Sequence, residues 1–84
     1  MAEEEIGKIT HYFSKISVAV IKMDAKLSVG DVIHIKGASS DFQQKIDSMQ
    51  MNHEEIEEAK KGEEIAIKVN EHVREHDIVY KVIE

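Results

Sequence analysis

The sequence predicts an all-β fold. Three observations carry this expectation. Apolar residues recur with a period of two along most of the chain, which puts alternate side chains on one face of a strand. Turn-forming clusters interrupt that alternation at roughly ten-residue spacing. The apolar complement is rich in Ile and Val, with no Trp, two Phe and two Tyr. β-Branched side chains must therefore fill most of the core.

The elements follow in order. Residues 6–13 form a first candidate strand, with Gly7 at a close approach or a bend. After a short connection at Ser14 and Lys15, residues 16–23 form a second, apolar on both faces at its centre. Residues 24–31 read as a loop ending in a turn, where Gly30 supplies the conformational freedom. A third strand spans 32–36, with Ile33 and Ile35 on one face and His34 and Lys36 on the other. A turn cluster at 37–41 leads into a fourth strand at 42–51. Its alternation is broken: Ile46 is out of phase with Met49 and Met51, and a bulge near Asp47 and Ser48 would return all three to the core.

Residues 53–62 differ. They carry helix formers, basic residues near the end and a closing Gly62, and so predict a short helical turn packed through Ile56 and Ala59. A fifth strand spans 64–70, with Ile65, Ile67 and Val69 inward. A polar connection at 71–77 leads to the last strand at 78–83. Six short strands suggest a sandwich or a barrel, and closure removes exposed edges from so small a sheet. There is no Pro, internal repeat or linker. The expected organisation is one domain over residues 6–84 after an acidic tail at 1–5.

Composition narrows the function. Of the 84 residues, 42% are apolar and 33% charged, which fits a globular chain with one modest core. A formal net charge of −6 opposes general binding to a phosphate backbone, and DNA is not an expected partner. The absence of Cys excludes disulfides, thiolate catalysis and Cys-based zinc sites. The opening Met1-Ala2-Glu3-Glu4-Glu5 is acidic, the reverse of a secretory signal. The apolar run Val18-Ala19-Val20-Ile21 is too short to span a membrane. The sequence therefore predicts a cytoplasmic protein without a membrane partner.

Three stretches match known patterns. Leu27-Ser28-Val29-Gly30-Asp31-Val32-Ile33-His34-Ile35-Lys36-Gly37 resembles the "hydrophobic-x-V-G-D-x-V-x-I-x-G" segment of the second domain of elongation factor Tu and its relatives. Ile46-Asp47-Ser48-Met49-Gln50-Met51 is similar to the strand that follows there. Ile56-Glu57-Glu58-Ala59-Lys60-Lys61-Gly62-Glu63-Glu64-Ile65-Ala66-Ile67 is similar to that family's "V-E-E-A-x-x-G-D-x-V-x-L". The resemblance runs from about Ile6 to Ile83 and implies a six-stranded closed β-barrel of the translation-protein type. Val73-Arg74-Glu75-His76-Asp77-Ile78-Val79-Tyr80-Lys81 looks closer to stand-alone elongation factor-like proteins. It also resembles the C-terminal barrel appended to a family of collagenase-like peptidases, some of which modify RNA. These likenesses together imply a free-standing accessory module. No Gly-x-x-x-x-Gly-Lys-Ser/Thr loop exists, so nucleotide hydrolysis is not implied.

Candidate sites each have a plain structural reading beside the functional one. His72 and His76 stand four apart, but a metal site needs a third ligand, and His11, His34 and His53 join only if the fold brings them. Solvated surface histidines are the expectation, with no metal and no cofactor. Glu54, Glu55, Glu57, Glu58, Glu63 and Glu64 read as a solubilising loop, or else as a contact for a basic partner such as a ribosomal protein. Lys8, Lys22, Lys36 and Lys68 fall on the phase opposite the inferred core, with Lys45 and Lys81 beside them. They mark a candidate RNA-contact face, or else they cover the outside and discourage edge pairing. Phe13 and Phe42 are expected in the core, as are Met49 and Met51.

The resulting expectation is a non-catalytic binding module, associated with translation or RNA modification, that docks on RNA, on a ribosome-associated protein or on a partner enzyme. The alternative is a structural or regulatory homo-oligomer, or a protein-docking domain unrelated to translation. A metal-dependent hydrolase built on the histidines is the third. The oligomeric state stays open. A contiguous lysine face would favour RNA, and an exposed apolar patch would favour protein docking.

Overall fold

The computed structural model describes residues 2–38 and 40–83. Its strands are β1 Ala2–Phe13, β2 Val18–Met23, β3 Leu27–Ser28, β4 Val32–Lys36, β5 Asp41–Lys45, β6 Met49–Met51, β7 Glu54–Ile56, β8 Glu58–Ala59, β9 Glu64–Lys68 and β10 Ile78–Ile83. Eight of them form one sheet in the order β5-β4-β10-β1-β2-β9-β6-β7, and β3 pairs with β8 as a separate ribbon. All pairings are antiparallel.

The long first strand is the spine. It begins at Ala2, four residues before the expected start, and its N-terminal half pairs with β10 while its C-terminal half pairs with β2. Two register shifts, between Glu5 and Gly7 and between Ile9 and His11, bend it. Gly7 is required here: a Cβ would stand 2.6 Å from the Lys22 carbonyl oxygen and 2.8 Å from the Ile21 side chain. The bends curl the sheet around a core in which Ile6, Ile9, Ile21, Ile33, Ile35 and Val79 have no solvent exposure. The alternation in β4 and β9 is as expected, with Ile33, Ile35, Ile65 and Ile67 inward.

The all-β expectation holds, and the backbone ladder of the large sheet does not close on itself: its order runs from β5 to β7. Residues 42–51 do not make one bulged strand: the chain leaves β4 after Lys45 and takes up β9 and β7 as partners from Met49. The intervening Ile46 exchanges backbone hydrogen bonds with the turn before β4, accepting from Gly30 and donating to Asp31, both at 2.8 Å. Ile46 and Met49 are buried, as expected, and Met51 is half-buried.

The expected helical turn at 53–62 is also corrected. Glu54–Ile56 and Glu58–Ala59 are strands β7 and β8. Asn52 (φ 54°) and His53 (φ 66°) occupy the left-handed region and form a two-residue hairpin loop between Met51 and its partner Glu54. Positive φ at both loop positions matches the twist of the flanking strands. Gly62 (φ 91°) closes the segment as expected.

Candidate protein-docking groove

The centre of β2 is apolar on both faces, and the outer face has no layer over it among the described residues. Val18 and Val20 point outward and are half-buried. Phe13 is the cross-strand partner of Val18, and Ala66 that of Val20. Gln50 of β6 continues the row beyond Ala66. Val18, Val20 and Ala66 thereby floor a groove of about 370 Å³.

Two turns build its walls. The β1–β2 turn, closed by Ser17 at φ 55°, carries Phe13 and Ile16. The β6–β7 turn supplies Met51, Asn52 and His53 on the opposite side. Glu64 lies at one end, where its carboxylate accepts a 3.3 Å hydrogen bond from the Thr10 hydroxyl. Phe13 is 51% exposed and Ile16 62% exposed, so the expectation that Phe13 belongs to the core is corrected. Its ring stacks on His11 at 6.4 Å rather than packing inward. Phe42 is buried, as expected. The alternation at the end of β1 gave a signal for this site that the bulge obscured: with Ile9 inward, the register shift turns Phe13 outward.

The four candidate lysines are all exposed. Lys8 pairs with Lys22, and Ile78 stands between Lys8 and Lys36, so these three lie in one cross-strand row. Carboxylates end the row on both sides, Glu64 opposite Lys22 and Asp41 opposite Lys36. Lys68 does not join it. It pairs with Val18, four residues along β9 from Glu64. Lys45 is exposed, and Lys81 lies 3.4 Å from the Asp31 carboxylate. Of the acidic run, Glu54, Glu55, Glu57, Glu58 and Glu64 are exposed and Glu63 is half-buried, and Glu58 bridges to Lys26 at 3.3 Å.

The histidines are dispersed. His72 packs edge-on to Tyr12 with ring centroids 4.7 Å apart. His76 (φ 75°) donates its backbone N–H to the Ile9 carbonyl at 2.8 Å. Among the described residues no group of three His, Cys, Asp or Glu side chains is placed to hold a metal ion.

A curled all-β module with an uncovered apolar groove is thus the class of protein that the fold and the site define. No protein-family model matches the chain. It is 43% identical over 77 residues to an uncharacterized protease of Methanocaldococcus jannaschii, a match that covers 90% of this chain and 19% of that protein. It is 35% identical over 78 residues to a collagenase of Porphyromonas gingivalis, covering 90% of this chain and 22% of that protein. The chain is homologous to a segment of these proteins and spans about a fifth of the length of the curated relatives it matches. Its fold is that of the C-terminal domain of a Geobacillus thermoleovorans protein assigned to the U32 peptidases. The crystal structure of that domain superposes with a TM-score of 0.89 at 18% identity, covering 95% of this chain and 93% of that one.

The resemblance to the collagenase-like peptidases is therefore the one that holds. The expectation of a translation protein, elongation factor-like, is corrected: the relatives are a protease and collagenases, not translation factors. The segments that suggested otherwise encode local geometry, the turn at Gly30 and the return through Gly62. Such turns recur wherever a short strand must reverse.

Proposed function

We propose that this chain is a non-catalytic docking module of a peptidase-family protein. Its groove beside Phe13 and Ile16 seats against the larger, catalytic portion of such a protein. The observation that carries the reading is the pair of large apolar side chains, Phe13 and Ile16, left exposed over an apolar floor. Small soluble domains rarely gather exposed apolar groups without a partner for them. The choice of partner rests on the homologues, in which the matching segment is accompanied by roughly four-fifths of additional chain, given its 19% share of the M. jannaschii protease.

The test is binding in trans. The M. jannaschii protease, truncated to remove the homologous 77 residues, is mixed with this chain and followed by size-exclusion chromatography with light scattering. A one-to-one complex supports the reading. A concentration-dependent homodimer of this chain, with no complex, assigns the groove to a second copy instead and overturns it.

A further inference from the structure

His34 lies on β4 with both ring nitrogens against carboxylates. Nδ1 is 2.6 Å from Glu3 Oε2, and Nε2 meets Asp41 Oδ1. The two carboxylates come from different strands: Glu3 reaches over β10 from the N-terminal end of β1, and Asp41 opens the terminal strand β5. The imidazole is well covered, with its side chain 14% exposed.

The chemistry of this arrangement is restrictive. Ionised carboxylates only accept hydrogen bonds, and a neutral imidazole donates from one nitrogen only. Both contacts are hydrogen bonds only when the ring is an imidazolium. Loss of one proton turns one contact into a lone pair facing a carboxylate. We infer that Glu3, His34 and Asp41 form a pH-operated clasp that ties the N-terminal end of β1 and the end strand β5 to β4 while His34 is doubly protonated, and loosens when it is not.

Other groups facing the ring do not supply a substitute. Tyr80 of β10 is the cross-strand partner of His34, with ring centroids 6.3 Å apart. Gln43 of β5 lies opposite on the other side, and Glu5 of β1 lies beyond Tyr80. Glu5 adds a further negative charge to the same row, and Lys36 faces Asp41 rather than the imidazole. The Asp41 hydrogen bond, then that of Glu3, raises the His34 pKa against the opposing effect of burial. The same contact to His34 lowers the pKa of Asp41. The signs define a window. The His34 contribution is complete below the ordinary histidine range and is lost as pH rises through the raised value. The Asp41 contribution is present above the ordinary carboxylate range and is lost as pH falls through the depressed value.

The test uses the full chain and nitrogen-detected NMR of the His34 ring at about pH 6.5, where an ordinary histidine is half neutral. Two protonated nitrogens are expected. A neutral tautomer there overturns the clasp. The Glu3→Gln and Asp41→Asn variants alter exposed side chains and should fold; each should lower the His34 midpoint, and an unchanged midpoint in both also overturns it. After correction for intrinsic exchange, the β5 amides should exchange roughly two- to five-fold faster above the His34 midpoint, the range that a partly exposed ion pair supports. Amides of β2 should not follow.

Discussion

The side chain of Gln44 serves as a strand partner for the backbone leading to Asn70. Its amide nitrogen donates to the Lys68 carbonyl and its oxygen accepts from the Asn70 N–H, both at 2.8 Å. These two bonds join β5 to the end of β9, where the sheet would otherwise part. A single carboxamide thus bridges the gap that the backbone ladder leaves open.

Gln44 is 8% exposed, and removing its side chain takes the hydrogen-bond partner from both the Lys68 carbonyl and the Asn70 N–H. Gln44→Ala should therefore destabilise the protein by about 1–3 kcal/mol. Gln44→Glu should cost a similar amount, because a carboxylate accepts from Asn70 but repels the Lys68 carbonyl. Urea denaturation checks both, and a Gln44→Glu variant as stable as the parent would contradict this role.

Gly37 is a contact requirement, not a conformational one. A Cβ there would stand 1.9 Å from Asp77 Oδ1. Asp77 is 5% exposed, and its carboxylate accepts from the Arg74 N–H at 3.0 Å. Gly37→Ala should cost about 1–3 kcal/mol by overpacking, and the cost should shrink when Asp77→Ala is added. Gly30 is the contrast: nothing lies near its added Cβ, but its φ of 98° disfavours any side chain. Gly30→Ala should cost about 1–2 kcal/mol from backbone strain, with no rescue by Asp77→Ala.

Val73 has no solvent exposure although it sits in the connection at 71–77. Val73→Ala should destabilise by about 1–3 kcal/mol, the lost methyl burial plus the void. Val73→Asp should leave the chain largely unfolded by circular dichroism. Wild-type stability in either variant would remove Val73 from the core.

Alternation made the inward faces of β4 and β9 legible, because Ile33, Ile35, Ile65 and Ile67 obey a period of two. It could not show Val73, flanked by His72 and Arg74, since tertiary packing rather than periodicity buries it. Residues 53–62 misled because Ile56 and Ala59 are spaced like a helical face. The hairpin loop at Asn52 and His53 carries no glycine to announce it. The groove was hidden by a change of phase: the shift between Ile9 and His11 sends Phe13 outward, and bulges leave no fixed sequence mark. The clasp was beyond reach, since Glu3 and His34 are 31 residues apart in the chain.

The most direct test of the docking claim is calorimetric titration of the truncated protease with this chain and with its Phe13→Ser/Ile16→Ser variant. Both residues are exposed, so the substitutions should leave the unfolding midpoint nearly unchanged, within about 0.5 kcal/mol. Burial in an interface is worth about 1.5–3 kcal/mol for each such side chain. The account predicts binding by the parent chain and a loss of at least about a hundred-fold in affinity for the double variant. Binding of equal strength by parent and variant, or no binding by the parent, would contradict it.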